Sequence, residues 1–238
     1  MTWFGGSNNG FAFEIFSVSH FVMISLLFLG SLGIFLQREK MKGQRWRQVE
    51  VGIAISLIVM EVGYHLWMFT NGIWNASFSL PLELCSLSLI LTVILLLTKN
   101  KYVYEILLFT ALLGATQALL TPLLHHDFPH FRYFHFFYTH LMMIWVAFYF
   151  TWAKGYKPSI LSVIRLFFYL NVLMPLVMLI NKLVSGNYMF LSHKPTTASL
   201  LDFLGPYPWY ILSLEGLLII LSLIVWLIFR GKKEKNTN

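Results

Sequence analysis

This chain has little charge. Only 11% of its 238 residues are Asp, Glu, Lys or Arg, against roughly a quarter in an ordinary soluble domain. That shortfall excludes a water-soluble fold of this length. With 58% hydrophobic residues and a mean hydropathy of +0.69, most side chains must face an apolar solvent, and that solvent is lipid. Cysteine is nearly missing as well. Cys85 stands alone, so no intrachain disulfide can form and pairing gives no reading of the redox compartment. From Met1 to Phe16 there is no Lys or Arg, while Glu14 is present. A signal peptide needs a basic start, so the first apolar run is expected to remain as a helix. Repeats of fixed period and low-complexity stretches are also lacking.

What is there is a series of apolar runs. They cover about residues 16–36, 51–70, 80–97, 102–121, 132–152, 159–183 and 207–229. Each is long enough to cross ~30 Å at about 1.5 Å per residue. The expected fold is all-α: a polytopic membrane protein whose single domain, 1–238, is a bundle of seven transmembrane helices. Pro81, Pro158, Pro206 and Pro208 sit at or before expected helix starts, and Pro122 follows the fourth run. Pro175 lies inside the sixth, where a kink is expected.

The formal charge of +7 could suggest a nucleic-acid partner, but its distribution argues against one. Thirteen of the seventeen basic residues fall in three short loops and a tail. These are Arg38, Lys40, Lys42, Arg45 and Arg47; Lys99 and Lys101; Lys154 and Lys157; and Arg230, Lys232, Lys233 and Lys235. The opposite side holds Arg132, Lys182 and Lys194, and Arg165 lies within a span. By the positive-inside rule the N-terminus is outside and the basic C-terminus cytoplasmic. The basic segments then fix topology and touch anionic headgroups. Trp74, Trp152 and Trp209 fall near the expected interfaces, where amphipathic rings sit comfortably. The longest outer loop, about residues 184–205, contains Asn187, His193, Lys194 and Asp202. It reads equally as the cover of an outer pocket or as a plain surface loop.

Ionisable groups inside a span are costly and by default face the bundle interior. Counting inward from the outer ends, His20 lies ~6 Å down the first helix and His65 ~8 Å down the second, with Glu61 one turn below His65. Glu83 and Cys85 fall in the first turns of the third, and Gln117 near the outer end of the fourth. His140 is ~12 Å into the fifth, Asn171 is near the middle of the sixth, and Glu215 matches His140 in depth on the seventh. The inner half offers mainly Glu105 and Arg165, close enough to the interface to snorkel or pair. A polar band drawn from every helix favours a cavity open to the outer leaflet over scattered interhelical bonds.

Three chemistries fit that band. A thiol becomes a nucleophile when a histidine takes its proton, so Cys85 and His140 are candidates, although a lone buried Cys is more often a packing residue. A metal reading rests on His125, His126, Asp127 and His130, followed by His135 and His140. His135 and His140 are five apart, ~140° around a helix, and Pro129 spoils helical geometry between His126 and His130, so the plainer reading is a histidine-bearing interface loop. Glu61 with His65 reads as an acid/base pair or as a structural one. No cofactor is implied and no metal ligand set is assigned.

Phe16-Ser17-Val18-Ser19-His20 opens the first helix, and Pro81-Leu82-Glu83-Leu84-Cys85-Ser86-Leu87-Ser88 opens the third. Gly114 to Pro122 closes the fourth, and Thr139-His140 lies in the fifth. In these segments the chain resembles the YwaF-type bacterial integral membrane family over nearly its whole length. That resemblance implies a bacterial plasma-membrane protein. Through distant eukaryotic relatives proposed to be phospholipid acyltransferases with a Cys/His pair, it implies that Cys85 forms a thioester and His140 acts as base and acid. Membrane phospholipids would be the partners. The competing expectations are a seven-helix lipid or small-molecule sensor, a metal-dependent lipid hydrolase and, last, a transporter, for which Pro175 supplies the only clear helix break.

Overall fold

A computed structural model describes residues 3–6, 12–195 and 200–231, so Lys232, Lys233 and Lys235 lie outside the described residues. Among the described residues there are seven long helices and no strand. They are α1 (Val18–Gln37), α2 (Arg47–Thr70), α3 (Leu84–Thr98), α4 (Lys101–Leu120), α5 (Phe131–Trp152), α6 (Ile160–Val184) and α7 (Trp209–Phe229). Short polar side chains fix several of their starts. Ser17 accepts the amide of His20 at α1, and Asn100 accepts those of Tyr102 and Val103 at α4. Ser159 and Ser162 form a capping box at α6. Lys99 ends α3 in the left-handed region (φ 57°), and two residues turn the chain straight into α4. α6 runs unbroken through Pro175.

Five of these segments, α1, Gln44–Thr70, α4, α6 and α7, are long and apolar enough to cross a membrane by length and composition. α3 is apolar but shorter. α5 is as long as the others, yet it carries His135, Thr139, His140 and several tyrosines. Its packing explains that tolerance. α5 stands at the centre, against α1, α2, α3 and α4, and its buried face includes those polar residues. A helix wrapped in protein need not be uniformly apolar, because lipid touches little of it. The outer helices show the reverse: Phe28, Leu29, Val59, Phe168 and Ile228 all project away from the core. An apolar surface of that extent is compatible with lipid and not with water. The protein is a multi-pass membrane protein.

Ion pairs tie the basic segments to one end of the bundle. Glu50, buried in the first turn of α2, lies 3.3 Å from Arg47, 3.2 Å from Lys99 and 3.0 Å from Lys154. Gly231 approaches Lys157, bringing the last basic segment to the same place. Arg47 also donates to the carbonyls of Leu96 and Leu97, closing the end of α3. Glu105 and Arg165 form an ion pair, one of the two outcomes expected of them.

Two local features depart from the apolar pattern. α3 begins at Leu84, four residues later than its apolar run, because Leu80 gives its amide to the Tyr188 hydroxyl (2.8 Å) and Pro81 has none to give. α4 contains a π-helical stretch, Ala111–Ala115, packed on α3 and α5. Such insertions often mark functional segments of a helix.

Candidate functional site

The late start of α3 sets the depth of Cys85. The α3 and α5 helices pack directly together and both run towards the basic end. Cys85 is thirteen residues before the last residue of α3, and His140 twelve before the last of α5. At 1.5 Å per residue the two lie about 20 Å and about 18 Å along their helices from those ends, and the ends are brought together where Lys99 and Lys154, just beyond them, both pair with Glu50. Cys85 is half-buried and packs on the main apolar core. Leu84 beside it touches the π-helical turn, where a Cβ on Gly114 would lie 3.6 Å from the Leu84 side chain.

His140 is buried, and its Nδ1 lies 2.7 Å from the carbonyl oxygen of Phe136. A carbonyl only accepts, so Nδ1 carries the proton and Nε2 holds the lone pair of the neutral ring. Nε2 has no hydrogen-bond partner among the described residues. No hydrogen bond joins His140 to Cys85 either. The Phe136 ring packs on His140, with centroids 4.3 Å apart.

The segment that follows α6 lies across the start of α3. Tyr188 donates to the carbonyl of Ala76 (2.7 Å), and its backbone is clasped on both sides by the Asn181 amide. The Met189 amide donates to Glu83 Oε2 at 3.0 Å, so the exposed carboxylate just before Cys85 is held by this loop. Gly186 approaches closely enough that a Cβ there would meet the Ser77 carbonyl oxygen at 2.7 Å. These contacts hold the segment against the start of α3.

A second polar cluster joins α2 to α5. His135 Nε2 donates to Glu61 Oε2 (3.0 Å), and Arg132 Nη1 donates to His135 Nδ1 (2.8 Å). The His135 ring stacks on Tyr64 (4.4 Å), and His65 is 3.6 Å from the other Glu61 oxygen. Glu61 and His65 were legible as a pair in the sequence. The stronger partner, His135, was missed there, although Arg132 three residues before it, on the same face, was an available signal.

The remaining members of the polar band are spent locally or apart. His20 is buried and bonded at both nitrogens, to the Phe16 amide and to the Leu119 carbonyl, so it ties α1 to the end of α4. Gln117 is exposed and donates to Thr121, just past the end of its own helix. Asn171 donates to the Phe167 carbonyl one turn back. Glu215, half-buried on α7, has no hydrogen bond or ion pair among the described residues.

In the histidine-bearing loop, His126 and His130 stack at 4.1 Å. His130 uses both nitrogens, on Gly5 and Arg132. Buried His126 leaves Nε2 unpaired, and burial together with the charges of His130, Arg132 and His125 pushes its pKa down to about 4. Among the described residues no three His, Cys, Asp or Glu side chains gather as a metal site.

Elsewhere an apolar groove of about 540 Å³ runs between α1 and α2 over α5, lined by Met23, Leu26, Val59, Phe137, Leu141 and Trp145 among others. Below it a smaller hollow reaches Glu50 and Tyr149 and shares Trp145.

The TMEM164 family matches residues 15–226, nearly the whole chain and every one of these clusters. The chain belongs to the TMEM164 family. No match was found among curated proteins, and none among solved structures. TMEM164-family membership accords with a polytopic membrane protein, and the likeness to YwaF-type proteins remains a resemblance.

Proposed function

We propose that this TMEM164-family protein crosses the bacterial plasma membrane seven times, N-terminus outside, and transfers or hydrolyses acyl groups of membrane lipids through Cys85 and His140. The observation that carries the reading is the level shared by the two side chains on adjacent helices, with His140 in the tautomer a base needs. The orientation is supported by Glu50, which gathers basic residues of three segments at one end.

In the first half-reaction the Cys85 thiol gives its proton to His140 Nε2, and Sγ attacks the ester carbonyl carbon of a lipid. The C–O bond of the ester breaks, and His140 returns the proton to the departing lysolipid oxygen. In the second, a lysolipid hydroxyl or water gives its proton to His140 and attacks the thioester, and the Cys85 sulfur leaves and regains the proton. Catalytic hydrogen bonds are often long before substrate arrives, so Cys85 and His140 close on each other around the ester. The outer loop over Glu83 shields the thioester from stray water. Glu61, His65 and His135 flank the site as a rigid polar wall. Phospholipid turnover by purified protein, compared with Cys85→Ala and His140→Ala, is the test. Loss in both folded variants supports the reading, and unchanged turnover in both ends it.

The apolar groove between α1 and α2 favours a second reading, a lipid-binding protein without catalysis. In that case the same variants leave lipid binding and lipid composition unchanged.

A further inference from the structure

Arg132 is tightly held. It lies in the first turn of α5, half-buried, at the end of the bundle opposite the basic cluster. An arginine that merely snorkels keeps its rotamer freedom and its water. This one is held in a single placement by its neighbours. Its guanidinium carbon sits 4.3 Å above the Tyr64 ring and 5.9 Å from the Phe136 ring, and Nη1 donates to His135. Glu61 takes the other His135 nitrogen, which fixes that tautomer and so aims the guanidinium. Yet Arg132 forms no ion pair among the described residues. Its remaining N–H groups are held in place with no carboxylate to receive them. Ordering a long side chain costs roughly 1.5–2 kcal/mol of rotamer freedom, and the Glu61 carboxylate, which attracts the guanidinium across the His135 ring, accepts none of its N–H groups directly.

The position of this cation relative to the candidate pair gives it a use. Arg132, Phe136 and His140 follow one another at four-residue steps along a single ridge of α5. Arg132 is eight residues, about 12 Å, nearer the N-terminal end than His140. A phospholipid's phosphate lies beyond its glycerol esters in the same direction. A planar guanidinium with free N–H groups matches phosphate oxygens two at a time.

We propose that Arg132 is a specificity-determining anchor for the phosphate of the phospholipid whose ester is presented to Cys85 and His140. The proposal rests on the acyl-transfer reading for its purpose and not for its test. The bound species is a lipid phosphodiester; free phosphate, the other source of the same chemistry, is an outcome of the experiment.

The test is photolabelling of the full chain in lipid nanodiscs with two probes of identical photoreactive acyl chains, a phospholipid and a diacylglycerol. The wild-type protein should label with the phospholipid roughly tenfold more efficiently, the worth of a charge-assisted contact. Arg132→Gln should lose that preference and Arg132→Lys should recover part of it, with thermal unfolding confirming that both variants fold. Equal labelling by the two probes in the wild-type protein overturns the proposal without reference to any variant. So does an undiminished preference in folded Arg132→Gln, or displacement of the phospholipid probe by inorganic phosphate as effective as that by unlabelled phospholipid. The readout needs no turnover. Should Cys85→Ala leave lipid turnover intact, the acyl-transfer reading fails while the phosphate preference stands or falls separately.

Discussion

His135 Nε2 and Glu61 Oε2 are 3.0 Å apart, linking α5 to α2 inside the bundle, and the bond leaves His135 Nδ1 free to accept from Arg132. Removing the acceptor strands a buried donor. Glu61→Ala should destabilise the protein by about 1–3 kcal/mol, whereas Glu61→Gln, which keeps an oxygen, should cost less. Thermal midpoints in one detergent check the order; equal midpoints for the two variants would show that the bond carries little.

At the basic end, Glu50 is 2% exposed and bridges Arg47, Lys99 and Lys154, while Tyr149 donates to it at 2.7 Å. Glu50→Ala leaves three cations facing one another. A loss of about 3–5 kcal/mol is expected, the cost of breaking a buried pair from one side. Chemical unfolding of Glu50→Ala against wild type measures it, and restoration by the additional change Lys154→Met would confirm that stranded charge is the cause.

α1 rests on α5 through a close approach at Gly30, where an added Cβ would fall 2.3 Å from the Trp145 ring. Gly30→Val must push the helices apart or swing the indole, which also gives up its bond to the Leu27 carbonyl. Overpacking of this kind costs about 1–3 kcal/mol. Gly33, with nothing near it, is the control, and Gly33→Ala should be neutral or mildly stabilising.

The stacked loop histidines make the fold acid-sensitive. The His126 pKa is pushed down to about 4, and that of His130 is lowered as well, in both cases first by burial. The unfolded chain therefore takes up protons first, near pH 6.5. Their contribution is fully present above that pH and is lost as pH falls towards 4. His126→Phe keeps a ring against His130 and Trp67 but cannot titrate. Its thermal midpoint should fall less between pH 7 and pH 4.5 than that of the wild-type protein, and parallel curves would assign the sensitivity elsewhere.

The helices were legible because an apolar run long enough to span lipid is a one-dimensional property; the caps Ser17, Asn100 and Ser159 are local signals that the reading did not use. The start of α3 was not, since the contact that displaces it comes from Tyr188, far along the chain. Glu50 was hidden for the same reason: in sequence it sits beside a basic loop, and its burial depends on residues from two other loops. The band of polar residues was visible but its partition was not. Gln117 and Thr121 are four apart, a spacing that already offered the local bond. Nothing in the sequence pairs His20 with the Leu119 carbonyl. Depth could be counted along each helix, which is why Cys85 and His140 could be singled out together, while the neighbour each one faces belongs to tertiary packing.

The most direct measurement is mass spectrometry of the Cys85-bearing peptide after the purified protein is incubated with phospholipid and quenched in acid. An acyl adduct on Cys85, released by hydroxylamine and strongly reduced in His140→Ala, is the expected result. An unmodified Cys85 in protein that still turns phospholipid over would contradict the account.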